Sequence, residues 1–312
     1  MLQLLIIGLA LSHTFTNLNP PRDFKNHSSL NHISSPLFEC KLNTLGNIIR
    51  INKQYSFTLK QRNDIDLAHC IWETVITGFN VYDHPRLNID MRVTSIDGVS
   101  GTLGRAAWTE GKYYPGPGKT YAMPINGYFE IDSADLSTLS NGNGFLYTIV
   151  HEIGHILGME QQIWTLNYAL ETNRFRYNGT GGLYGFRRQF NMSAVHIPIE
   201  QDGGNGTAGS HWDEITNLKD MQNRSFTTEI MTGYLTNENY LTSVTAQSLT
   251  DIGYQVNPHI CIYDSDCGVN VTCNRGFVDM CNQTFITNSS LNPQYNFGII
   301  CLFIGLCIMI IG

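Results

Sequence analysis

Two histidines four residues apart, with a glutamate between them, constrain this chain more than any other feature. They lie in FLYTIVHEIGHILGM, Phe145 to Met159, as His151, Glu152 and His155. On an α-helix, residues i and i+4 project from one face, so a single turn can aim both imidazoles at one point. The predicted helix runs from Phe145 to Leu157. Leu146, Ile149, Val150, Ile153 and Ile156 surround the pair with apolar side chains, so other elements must cover this helix. Asn143 is placed to cap its start, and Gly158 to stop its end.

Such a pair suits zinc, which binds imidazole nitrogen at about 2.0–2.1 Å. A catalytic zinc takes three protein ligands and keeps one position for water, whose pKa it lowers toward ~7. Glu152 would stand beside the metal without binding it, to take a proton from the water and pass it to a leaving amine. The most compact placement of a third ligand, six residues after His155, holds Gln161. His196, between apolar neighbours in AVHIPI, reads as a packed histidine, and His259 sits beside Pro258 near a cysteine cluster. His211 follows GGNGTAGS, a segment flexible enough to return a side chain to the helix. Glu238 is its rival, because a glutamate from a later helix completes another class of zinc peptidase.

Elsewhere the pattern mixes strands and helices. QYSFTLKQ (54–61), LNIDMRVTSI (87–96) and GYFEID (127–132) read as strands. A helix is predicted from Asp66, with Leu67, Ile71 and Val75 at helical spacing. Residues 137–144 read as a polar turn and 159–210 as an irregular, exposed insertion. A last helix begins at Thr242, with Val244, Leu249 and Ile252 facing inward.

The ends and the cysteines point to export. Residues 1–12 form a short apolar run suited to a secretory signal, so 1–16 are assigned to a signal peptide and 17–36 to a linker or short pro-segment. The apolar tail from Phe297 is shorter than the ~20 residues of a spanning helix. With the small residues Asn288, Ser289 and Ser290 upstream, it fits a GPI-attachment signal, or else a tail anchor, over 288–312. Cys40 and Cys70 are one expected disulfide. Cys261, Cys267, Cys273 and Cys281 lack the CxxC spacing of zinc ribbons and are expected in disulfides of open connectivity. Eight N-x-[ST] triplets fit a glycosylated surface. A net charge of −7 with only 14% charged residues argues against a nucleic-acid partner, which needs concentrated Lys and Arg.

Four segments in order resemble the leishmanolysin family of metzincin metallopeptidases: HEIGHILG (151–158), IEQDGGNGTAGSHW (199–212), EIMTG (229–233) and LTSVTAQSLTDIGYQV (241–256). That family inserts a long segment before its third histidine, and here 55 residues separate His155 from His211. The resemblance therefore implies His151, His155 and His211 as ligands of one Zn2+ per chain, with Glu152 as general acid/base. It implies Met231 as the methionine of a Met-turn beneath the metal. It also implies an extended peptide substrate held along an edge strand, for which GYFEID is the candidate. The family's longer pro-segment carries a zinc-blocking cysteine, and residues 17–36 contain none.

The expected fold is an α/β (α+β) metzincin-like zinc peptidase, a mixed twisted sheet with an active-site helix. The cleft would lie between an N-terminal subdomain (37–158) and a C-terminal one (159–258), followed by a small disulfide-rich segment (259–287). The expected function is a zinc endopeptidase at the cell surface, attached to the membrane through its C-terminal anchor. The alternative is a glycosylated surface adhesion or binding protein that keeps zinc without turnover.

Overall fold

The computed structural model describes residues 13–16, 48–82, 86–202, 207–236, 238–267 and 271–281. Most of the expected signal peptide, the 17–36 segment, Cys40 and the 288–312 tail lie outside these residues. Among the described residues, no helix is long and apolar enough to cross a membrane.

The first part of the chain builds a sheet. It contains β1 (His13–Thr16), β2 (Ile49–Lys53), α1 (Leu59–Val75), β3 (Ile76–Phe79), β4 (Leu87–Thr94), β5 (Thr102–Pro115) and β6 (Thr120–Asp132). The five-stranded sheet has the order β1-β5-β6-β4-β2. Strands β2, β4 and β6 are parallel, whereas β5 runs antiparallel to β6 and β1 antiparallel to β5. The fold is thus mixed α/β with a mixed sheet.

Three local expectations are corrected here. QYSFTLKQ is not a strand, because Thr58 starts α1. Thr58 Oγ1 accepts from the Gln61 amide at 3.3 Å and Gln61 Oε1 accepts from the Thr58 amide at 2.9 Å. This reciprocal capping box outweighs the alternating pattern. The helix predicted from Asp66 accordingly begins earlier, and it stops at Val75, where Ile76 and Thr77 turn extended. Third, GYFEID is not an edge strand. It is the end of the longer β6, hydrogen-bonded on both sides by β5 and β4. The missing strand, β5, joins β6 through a Pro- and Gly-rich turn closed by Gly116 N donating to Lys119 O at 2.9 Å. YYPGPGKTY carries that hairpin signal in the sequence.

The second part begins with α2 (Leu136–Ser140), where a plain turn was predicted, and α3 (Gly144–Leu157). Asn143 precedes α3 without a side-chain cap, and Gly158 ends it with φ 112°. Every residue from Phe145 to Leu157 is buried, as the apolar surround of His151 and His155 required. Trp72 on α1 donates its indole N–H to Val150 O at 2.9 Å and so ties the two helices together.

The described part of residues 159–210 is more regular than expected. It contains α4 (Gln161–Leu166), β7 (Leu170–Glu171), β8 (Arg176–Tyr177), α5 (Thr180–Gln189) and β9 (Ile197–Pro198), and the three strands form a small sheet. Side chains on each of these elements reach the core: Trp164, Leu170, Tyr177, Phe186 and Ile197 are buried. Helix α6 (Ser243–Asp251) starts at Thr242, whose hydroxyl accepts from Thr245 N, and Val244, Leu249 and Ile252 are buried as predicted.

Strand β10 (Tyr254–Val256) then pairs with β3, near the other end of the chain. One hydrophobic core runs through α1, the sheet, α3 and α6. The last strands, β11 (Cys273–Asn274) and β12 (Met280–Cys281), carry interleaved disulfides, Cys261–Cys273 and Cys267–Cys281. This resolves the connectivity that spacing left open. Cys70 is also disulfide-bonded.

Candidate metal centre

His151 and His155 leave α3 on one face, and the segment after β9 brings His211 to meet them. The three Nε2 atoms form a triangle with sides of 2.9 Å (His155–His151), 3.1 Å (His155–His211) and 3.2 Å (His211–His151). All three side chains are completely buried. The other nitrogen of each ring is anchored. His151 Nδ1 lies 2.6 Å from Ile230 O, His155 Nδ1 2.9 Å from Met159 O, and His211 Nδ1 2.7 Å from Thr207 O. A carbonyl can only accept, so each Nδ1 carries the hydrogen and each neutral ring turns its Nε2 lone pair toward the other two.

Three lone pairs at such distances repel unless a cation lies among them. Bonds of about 2.0–2.1 Å to three corners of a tetrahedron place nitrogens roughly 3.3 Å apart, close to the sides observed. The donor set therefore fits zinc, with the carbonyl anchors fixing tautomer and ring direction.

Glu152 follows His151 on the same buried turn of α3. Its carboxylate is fully buried, and neither oxygen has a hydrogen-bond partner among the described residues. Burial alone pushes its carboxyl well above the usual carboxylate range. A Cβ added to Gly104 on β5 would lie 2.8 Å from Glu152 Oε1, so β5 runs directly against this carboxylate.

Met231 is buried under the same helix turn. Its sulfur lies 2.5 Å from where a Cβ on Gly154 would stand. Only glycine lets the methionine come this close, which gives the glycine of HEIGH a packing reason. Gln161, the position of the compact third ligand, begins α4 and lies outside the triangle, as does the exposed Glu238.

The sequence did not single out the support of the Met231 segment. Glu229 is fully buried. Its carboxylate accepts from Met231 N at 2.5 Å, Thr242 N at 3.1 Å, Thr242 Oγ1 at 3.1 Å and Thr245 Oγ1 at 2.6 Å. Thr245 Oγ1 in turn accepts from the indole N–H of Trp212 at 2.8 Å. The residue next to His211 and the amide of Met231 itself thus share one buried network. No side-chain pattern announces it, because the partners lie far apart in sequence.

Burial pushes the Glu229 carboxyl up from 4.5 to about 7, against the bonds donated by Thr245, Thr242 and Met231. The folded state thus binds this proton more tightly than the unfolded chain. The stabilisation is fully present below pH ~4.5 and is lost as pH rises through about 7. At ~1.4 kcal/mol per unit, it is on the order of 3 kcal/mol. Glu229→Gln is expected to flatten the pH dependence of stability across this window relative to the parent. Denaturant unfolding at pH 5 and pH 7.5 measures it, and equal slopes in the two proteins would refute it.

No curated protein matches the chain. Residues 119–260 match the family model described as leishmanolysin, peptidase M8. The matched stretch contains β6, α3, all three histidines, the Met231 segment and α6. With the converging imidazoles as its structural counterpart, this match supports a leishmanolysin-family assignment for residues 119–260, a family of zinc metallopeptidases that act on peptides or proteins.

Proposed function

We propose that this protein is a zinc endopeptidase of the metzincin type that cleaves extended segments of extracellular proteins. The observation that carries the reading is the convergence of three anchored imidazoles, with the buried Glu152 carboxylate on the same helix turn and without a hydrogen-bond partner among the described residues. His151, His155 and His211 would hold the zinc, and Met231 would form the apolar floor beneath it. Zinc in this site would acidify a bound water and polarise the scissile carbonyl. Glu152 would take the proton from the attacking water on a carboxylate oxygen and deliver it to the nitrogen of the leaving amine. Its raised pKa favours holding that proton between the two transfers.

The substrate strand is reassigned to β5, since β6 is interior. Strand β1 lies antiparallel along β5, with Phe15 opposite Gly104, beside Glu152. An extended peptide taking the same edge would gain main-chain hydrogen bonds in a sequence-tolerant way. Cleavage of a signal peptide over 1–16 would clear that edge. The division into subdomains 37–158 and 159–258, with the cleft between them, belongs to the same proposal. Disulfides, N-x-[ST] triplets and the two apolar ends support action at the cell surface with a C-terminal anchor.

Zinc quantification alongside peptide cleavage, on the full chain, tests the ligand set. His211→Ala is expected to lose stoichiometric zinc and cleavage together, whereas Glu238→Ala keeps both. Retention of one zinc per chain by His211→Ala would defeat the assignment.

A further inference from the structure

A second cluster of ligand-type side chains stands beyond the triad. Glu200 follows β9, and Asp213 and Glu214 follow the third histidine. One carboxylate oxygen from each of the three lies within 4.8 Å of the others. None of the ion pairs among the described residues involves them.

Glu200 is only 2% exposed. Its Oε1 accepts from the amides of Gln201 and Asp202, both at 3.0 Å. Its Oε2 is buried and receives no N–H or O–H among the described residues. A buried anionic oxygen in this position costs free energy unless a proton or a cation meets it. Negative charge presses on the surroundings as well. Burial, and then the charges of Glu214, Asp202 and Glu200, push the Tyr234 hydroxyl up to about 12.

The backbone around these carboxylates belongs to the metal centre. Glu200 N donates to His211 O at 3.0 Å, and Gly209 N donates to Glu200 O at 2.8 Å. Glu214 Oε1 accepts from Gly233 N at 2.9 Å, just past Met231. Whatever neutralises the cluster therefore joins the strand before His211, the segment after it, and the end of the Met231 turn.

We propose that Glu200, Asp213 and Glu214 form a calcium site that pins the segment carrying His211. Three oxygen donors suit a hard divalent cation rather than zinc. Calcium, with oxygen bonds of about 2.3–2.6 Å and tolerance of irregular geometry, spans such a spread more readily than magnesium, which demands about 2.0–2.1 Å and near-octahedral ligands.

The rival is one proton shared between two of the carboxylates. Glu214, raised to about 9 by burial and by the neighbouring Glu200 carboxylate, could supply it. That proton would satisfy one oxygen–oxygen contact and leave the third carboxylate uncompensated. This inference does not depend on peptidase activity.

The test is terbium luminescence on the full chain, with Trp212 and Tyr234 as nearby sensitisers and terbium standing in for calcium. Saturable emission is expected. Calcium should displace it with a half-effect at roughly 0.1–1 mM, the range of the weaker protein calcium sites, while tenfold more magnesium does not. Calcium should also raise the thermal midpoint by several degrees.

Glu200→Gln and Asp213→Asn should each weaken terbium binding at least tenfold. The half-buried Asp213 keeps the test available if the Glu200 variant fails to fold. Emission should persist in His151→Ala, which breaks the triad but leaves the carboxylates. Absence of calcium-displaceable emission, or emission unchanged in Asp213→Asn, would overturn the site. Equal displacement by magnesium would overturn its assignment to calcium. Stability that responds to acid and ignores calcium would mark the shared proton instead.

Discussion

Replacing Glu152 with alanine is expected to slow peptide cleavage by about 10²–10⁴-fold, the usual contribution of a positioned general acid/base, while one zinc per chain is retained. The three imidazoles are held through their Nδ1 atoms by backbone carbonyls of Ile230, Met159 and Thr207, so none of them relies on Glu152 for its orientation. The fold does not rely on it either. Both carboxylate oxygens are buried without a hydrogen-bond partner among the described residues, and an unsatisfied ionisable group costs free energy in the interior. Removing it should leave the zinc-free protein at least as stable as the parent. Loss of cleavage would then report on proton transfer rather than on folding. A surface protein that used zinc only as a structural ion would keep its function in this variant. Cleavage within tenfold of the parent, measured at full zinc occupancy, would rule out the assigned role.

Trp212→Ala is expected to cost about 3–5 kcal/mol of folding stability, the range for emptying a large aromatic site in a core. The Trp212 ring is fully buried. It stacks on Trp164 with centroids 5.2 Å apart and meets Tyr177 edge-on at 5.1 Å. Its amide donates to Met231 O at 3.0 Å, and its indole N–H begins the chain through Thr245 to Glu229. The variant therefore opens a cavity and also strips the donor from Thr245, one bond away from the carboxylate that holds the Met231 amide. Because His211 is the preceding residue, zinc affinity should fall as well, by roughly the 10–100-fold typical of lost supporting contacts around a metal. Trp212→Phe keeps most of the volume and should cost less on both counts. Urea unfolding and zinc competition read the two effects separately. A loss below ~1 kcal/mol for the alanine variant would show that the aromatic cluster does not carry this segment.

Local signals were read well where the cause was local. The i, i+4 spacing of His151 and His155 needs only one helical turn, and the apolar residues around them forecast a buried helix. Gly158 and Thr242 mark helix ends through their own backbone and hydroxyl. QYSFTLKQ misled because its alternation looked like a strand while the Thr58–Gln61 pair, three residues apart, was capping a helix. GYFEID misled for a different reason. Alternation identifies a strand but says nothing of how many neighbours it has. Only the partner β5, supplied by the hairpin after Pro115, turned it into an interior strand.

Taken alone, the amino-acid order determined the chemistry on offer: two imidazoles and a carboxylate on one buried turn, a glycine-rich approach to a third histidine, and cysteines suited to disulfides. Residue spacing was enough for that, because a helical turn converts sequence distance directly into spatial distance. Tertiary structure decided which distant groups completed the arrangement. It chose His211 over Glu238 for the triangle, put Glu229 and Trp212 behind it, and ran β5 against Glu152. It also gathered Glu200, Asp213 and Glu214 into one cluster. Those choices depend on how a long chain closes on itself around a common core, and spacing along the chain carries no direct record of that.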